Sequence, residues 1–98
     1  MQKYKLLMNG KNFLIESESK LDKFGFFQTI HLEANDPEDA ELKAVEIIKQ
    51  SDLRGLVRNE PGDSPMIYLD EIDEIDSFDG IESLNQGRSF YSENTDGE

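Results

Sequence analysis

A single helical segment constrains the fold most, because the other apolar segments alternate like strands. Asp36 can cap a helix, and Pro37 suits the first turn, where a missing N–H costs nothing. Apolar residues then recur at three- and four-residue spacings as far as about Gln50: Ala40, Ala44, Ile47 and Ile48. Leu42 falls on the polar side. The pattern predicts one amphipathic helix.

The segment before the helix has the period of a strand. From Phe24 to Ala34 the even positions after Phe26 are mostly apolar, which predicts that they face the core. Phe27 and His31 are odd and are expected on the outer face. The other aromatic residues of the strands are expected to pack in the core.

The first sixteen residues contain a hairpin signal. Apolar runs on both sides of Asn9-Gly10 predict a type I′ turn there, since that turn needs two residues with positive φ. A two-residue turn places Leu6 opposite Phe13. The segment is therefore predicted to form two short strands.

A last strand opens at Met66 and then changes period. After Leu69 the apolar residues are three apart, at Ile72, Ile75 and Phe78. If one extra residue is inserted between Leu69 and Ile72, both side chains point toward the core. We therefore favour a bulged strand. A short helix from Asp70 is the alternative.

Together these segments predict an α+β fold. We expect a mostly antiparallel sheet of about four strands, in the order N-terminal hairpin, third strand, helix, fourth strand, with the helix packed on one face. Residues 1–79 are expected to form a single domain. Residues 80–98, with Gly, Ser, Asn and acidic residues, are expected to be a poorly ordered tail in which only Phe90 and Tyr91 dock back.

Charge and composition exclude several classes of function. The chain of 98 residues has ten basic and twenty-two acidic residues, a net charge of −12. Nine basic and ten acidic residues precede Glu60, a net −1, and one basic and twelve acidic residues follow, a net −11. This field repels nucleic acid and anionic membranes and favours a basic protein partner. The absence of cysteine excludes disulfides, thiolate zinc sites and thiol nucleophiles.

No segment indicates a membrane or export role. The longest apolar run near the start, Leu6-Leu7-Met8, is too short for an export signal. No run approaches the ~18 residues of a membrane helix. We therefore expect a soluble cytoplasmic protein.

The acidic segment after Leu69 is the main candidate site. Its contact charges are predicted to be Asp70, Glu71, Asp73, Glu74, Asp76 and Asp79. A calcium loop does not fit, because Gly80 at loop position six puts Ile75 and Gln86 where carboxylates are required. We predict no metal site, no cofactor and no catalytic residue, and the acidic residues are interpreted as a solvated face that binds a basic protein partner.

Two other functions stay open. His31 with nearby carboxylates could serve a small hydrolase or a divalent-metal enzyme, although a surface histidine is the simpler interpretation. Leu42, Phe27 and unpaired strand edges could instead support a homodimer.

Several short segments together resemble a group of small, uncharacterised bacterial proteins. They lie between about Lys3 and Phe78 and comprise Asn12-Phe13-Leu14, Gly25-Phe26-Phe27-Gln28-Thr29, Glu33-Ala34, the helix start from Pro37 to Val45, Leu53-Arg54, Pro65-Met66-Ile67, Glu71-Ile72 and Glu74-Ile75. The resemblance implies an independently folding domain. That group has no assigned activity, so the resemblance carries no function or site residue to this chain.

Overall fold

Four strands and one helix make up the described part of the chain, residues 1–17, 19–51, 57–81 and 87–93 of a computed structural model. The elements are β1 (Gln2–Ser17), β2 (Lys20–Ala34), α1 (Pro37–Lys49), β3 (Met66–Ile75) and β4 (Ser89–Ser92). The strands form one antiparallel sheet in the order β3-β1-β2-β4. This confirms the predicted α+β class.

The N-terminal hairpin is longer than predicted, and its turn lies elsewhere. β1 runs without a break through Asn9-Gly10 and pairs with β2 along most of its length. Leu6 therefore lies opposite Ile30 and not opposite Phe13. The predicted type I′ turn at Asn9-Gly10 is wrong. In the continuous strand the main chain of residues 2–10 pairs with β2, which satisfies its hydrogen bonds without a turn at Asn9-Gly10.

A β-bulge takes the place of the predicted turn. Gly10 pairs with Phe26 and Phe13 pairs with Phe24, so β1 has one extra residue between these positions. The extra residue keeps the apolar side chains before and after it on one face. Asn12 has left-handed backbone with φ of 64°, which asparagine tolerates better than most residues. A Cβ at Gly10 would overlap the Phe26 ring.

Asn59 fastens the loop before β3 to this bulge. Its side-chain oxygen accepts a hydrogen bond from the Leu14 N–H at 2.9 Å, and its Nδ2 donates to the carbonyls of Asn12 and Asp63, each at 2.9 Å. The Asp63 carboxylate accepts from Asn12 Nδ2 at 2.9 Å and lies 3.2 Å from Lys23 Nζ. The Asn12 bond, followed by Lys23, holds the pKa of Asp63 below its ordinary value.

Helix α1 begins as the sequence predicts. The Asp36 carboxylate accepts a hydrogen bond from the Asp39 N–H at 2.8 Å, and Pro37 stands in the first turn. The helical residues that are fully buried are Ala40, Ala44 and Ile48. Leu42 is 65% exposed, as its position on the polar side predicts.

The hydrophobic core lies between α1 and one face of the sheet. Its largest fully buried side chains are Leu6, Met8, Phe26, Ile30 and Ile48. The even positions of β2 from Phe26 to Ala34 are all buried, which confirms the predicted orientation of that strand. The sheet face opposite α1 is called the outer face below.

β3 is a bulged strand, as predicted. Leu69 and Glu71 pair with two successive residues of β1, so Asp70 is the inserted residue. The insertion keeps Leu69 and Ile72 on the helix side of the sheet. Ile75 lies three positions beyond Ile72 and therefore falls on the outer face.

Strand β4 pairs with β2 within the segment expected to be a tail. Tyr91 lies opposite Gly25, and its ring occupies the space that a Cβ at Gly25 would need. The Tyr91 hydroxyl accepts a hydrogen bond from Asn9 Nδ2 at 3.2 Å. Phe90 packs from the helix side, with its ring centroid 5.9 Å from that of Phe26. Residues 82–86 and 94–98 of the expected tail lie outside the described residues.

Candidate functional site

β3 forms one edge of the sheet. It is ten residues long, and β1 pairs with it on one side only. Among the described residues no strand pairs with its other side. A free strand edge presents N–H and C=O groups that can bind another strand. This edge is also where the sequence places its candidate charges.

The six predicted contact residues lie along β3 or directly after it, and all six are exposed. They are called the acidic strip: Asp70, Glu71, Asp73, Glu74, Asp76 and Asp79. Glu71 and Asp73 point to the outer face, whereas Glu74 points to the helix side. Asp70 is the bulge residue. The carboxylates thus spread along an edge and do not converge on one point.

No residue of the acidic strip forms an ion pair within the part of the chain that the structure describes. The ion pairs there join other acids: Lys3 with Glu33, Lys23 with Asp63, and Lys43 with Asp39. Lys5 lies opposite Asp73 across the β1–β3 ladder but forms no ion pair with it. The charges of the strip are therefore available to cations from outside the chain.

The negative field of the strip reaches the helix side of the sheet. Tyr4, in the core, lies opposite Glu74. Burial raises the pKa of the Tyr4 phenol above its ordinary value, and the charges of Glu74 and Asp36 raise it further. Both effects disfavour a second negative charge at this position.

His31 is buried, contrary to the prediction of a surface histidine. It is only 5% exposed, although it does lie on the outer face. Phe78 covers it, with ring centroids 6.4 Å apart and the rings close to perpendicular. Lys3 Nζ lies 5.9 Å from the centroid of the same Phe78 ring. The strand alternation gave the correct face but could not show that the chain after β3 folds over it.

The geometry separates His31 from the strip residues on β3. Lys5 on β1 separates His31 on β2 from Asp73 on β3. Two strand spacings put the two backbones roughly 10 Å apart. Among the described residues, no three His, Asp or Glu side chains gather in a way that could hold a metal ion. The arrangement is suited to binding along an edge.

Exposed aromatic side chains also lie on the outer face; Tyr68 is on β3 itself, whereas Phe27 is two strands away on β2. Phe27 is 41% exposed, as its odd position predicts. We expected Tyr68 in the core, but it is 45% exposed. It precedes Leu69, which faces the core, so its own side chain points to the opposite face of the sheet. Lys11 Nζ lies 5.9 Å from the Tyr68 ring centroid. The Phe27 and Tyr91 rings lie 5.6 Å apart.

Comparison with known proteins found no match. No protein-family model, no curated protein and no solved structure matches the chain. Within the described residues, no helix is long and apolar enough to cross a membrane.

Proposed function

We propose that the protein is a non-enzymatic interaction module that binds a basic protein partner through the acidic strip. The observation that carries this proposal is the placement of four exposed carboxylates on the edge strand β3 and two more just after it, none of which has an ion-pair partner or a neighbouring strand on that side among the described residues. The strand holds four of these charges at fixed positions along the edge, with Glu71 and Asp73 in one row on the outer face. A fixed row of charge can select a partner with complementary spacing, which a disordered acidic segment cannot do as well.

The charge distribution also supports a protein partner over other polyions. Residues 60–98 contain twelve acidic residues and one basic residue, a net −11. Such a field steers basic surfaces toward the strip and repels phosphate-rich surfaces. Nucleic acid and anionic membrane are therefore disfavoured as direct ligands.

Affinity capture with a matched pair of variants tests the proposal. The site variant is D70N/E71Q/D73N/E74Q, which removes four charges from the strip. The control variant, E16Q/E38Q/E46Q/E60Q, removes four charges from exposed residues elsewhere. We expect the wild type and the control to capture the same basic proteins at low salt, and the site variant to lose them.

Salt provides the second readout. Because exposed charges interact weakly beyond ~10 Å at ~0.1 M salt, capture should fall as salt is raised. Partners that the site variant retains, or binding that does not depend on salt, would overturn the proposal. Stoichiometric micromolar binding of Ca²⁺, Mg²⁺, Mn²⁺ or Zn²⁺ in a calorimetric titration would favour the alternative of a metal-dependent enzyme that uses His31.

A further inference from the structure

The free edge of β3 is amphipathic, and this restricts what can pair with it. On the helix side Ile67, Leu69 and Ile72 are half-buried and pack against the core. On the outer face Glu71 and Asp73 are exposed. A strand added to β3 would place alternate side chains about 5 Å from these two rows. Around Ile72 the helix-side row favours apolar neighbours and the outer row favours cations. Past Asp73 this order reverses, because Glu74 is exposed on the helix side and Ile75 is half-buried on the outer face.

The bulge at Asp70 divides the edge into two stretches. Bulges disrupt the ladder locally and increase the twist, so a single added strand pairs best on one side of the bulge. Residues 71–75 form the longer regular stretch after the bulge and contain three of the six strip residues. Five residues are close to the usual length of a strand.

A second copy of the chain does not suit this edge. Pairing β3 with another β3 would bring Glu71 and Asp73 close to the same residues of the other copy. Like charges on directly opposed strands are destabilising. The acidic side chains thus act against self-pairing while they favour a basic strand.

We propose that β3 accepts a fifth strand from its partner, an extended segment that alternates Lys or Arg with apolar residues. This inference rests on the proposed function and specifies how the partner binds. The segment pairs its main chain with the edge at residues 71–75. Two of its basic side chains meet Glu71 and Asp73 on the outer face, and the apolar side chain between them lies beside Ile72 on the helix side.

A synthetic peptide of about seven residues that alternates Lys and Val is a direct probe. We expect NMR titration to shift the amide signals of residues 71–75 and amide exchange there to slow. The matched control is the same peptide with alternate amides N-methylated, which keeps its charge and removes its strand hydrogen bonds. We expect the control to bind about tenfold more weakly, or worse.

The variant E71Q/D73N separates this inference from the proposed function. Weaker binding of both peptides to this variant, with the unmodified peptide still preferred, supports strand addition. Equal affinity of the two peptides for the wild type overturns strand addition but leaves a purely electrostatic module intact. If neither peptide binds and the site variant captures the same proteins as the wild type, both proposals fail. Slow exchange of those amides of residues 71–75 that point away from β1 in the free protein, together with a dimer in light scattering, would overturn the inference and assign the edge to a second copy.

Discussion

The two edges of the sheet are built in different ways. β4 is four residues long, and aromatic side chains on both faces hold it against β2. β3 is ten residues long, and its outward side chains are largely exposed acids. Short length closes the β4 edge to partners, since four residues give few pairing groups. The β3 edge is long enough to pair with a further strand, and its acids favour basic neighbours over acidic ones.

The two edges also differ in how much their side chains contribute to packing. Gly25 and Tyr91 hold β4 in place by close packing, because the Tyr91 ring fills the space next to Gly25 where another residue would have its Cβ. Residues that face outward from β3 contribute little to packing. Substitutions at the β4 edge should therefore change stability, whereas charge substitutions in the acidic strip should change binding more than folding.

Loss of the Phe26 side chain should have the largest effect, because this ring belongs to the core that both edges share. It is fully buried, and its centroid lies 5.2 Å from that of Phe13 and 5.9 Å from that of Phe90. We expect Phe26→Ala to cost about 3–5 kcal/mol in urea unfolding. Phe90→Ala, at a ring that is 47% exposed, is the control and should cost far less. Equal costs would contradict this account of the core.

Gly25→Ala should destabilise the β4 edge without affecting the β3 edge. The added Cβ would overlap the Tyr91 ring and so displace β4, at a cost of about 1–3 kcal/mol. We expect amide exchange to speed up in β4 while β3 stays protected. Gly62→Ala is the matched control, because nothing lies within 4 Å of the Cβ it adds. Uniform loss of protection across the sheet would mean that the edges are not independent.

The sequence predicted the fold class, the helix and the bulge of β3 because each depends on a local signal. Asp36-Pro37 fixes the helix start through capping. The three-residue spacing after Leu69 allows only an inserted residue or a change to helix. Where one local pattern decides, prediction from sequence succeeds.

The sequence could not locate the N-terminal turn, because two arrangements satisfy the same pattern. A hairpin at Asn9-Gly10 and a bulge near Asn12 both place Leu6 and Phe13 on one face. Only the pairing with β2, a long-range contact, separates them. The burial of His31 was missed for a similar reason, since Phe78 covers it from forty-seven positions away along the chain.

Asn59→Ala should destabilise the loop that leads into β3. The substitution leaves the Leu14 N–H and the carbonyls of Asn12 and Asp63 without their side-chain partner. We expect a loss of about 1–2 kcal/mol, because these groups are only partly buried. Asn35→Ala, at an exposed position, is the control. If Asn59→Ala leaves stability and amide exchange near Met66 unchanged, the Asn59 hydrogen bonds do not position the start of β3.

Acid should weaken the contacts of the Asp63 carboxylate in the same loop, with a smaller effect on stability than Asn59→Ala. The Asn12 hydrogen bond and Lys23 hold the pKa of Asp63 below the ordinary aspartate value of about 3.9. Since the pKa is lower in the folded state than in the unfolded state, the Asp63 carboxylate stabilises the fold above the ordinary value. This stabilisation is lost as the pH falls through the folded pKa.

Unfolding of the wild type and of Asp63→Asn from neutral pH to about pH 2 checks the sign. The stability advantage of the wild type should shrink below about pH 4 and disappear in stronger acid. Asp76→Asn removes one charge from an exposed position and controls for net charge. The effect is small because the Asp63 side chain is 48% exposed, so water screens its contact with Lys23. An advantage that persists unchanged at pH 2 would mean that the amide of Asp63→Asn disturbs the loop by its shape and that the carboxylate charge contributes nothing.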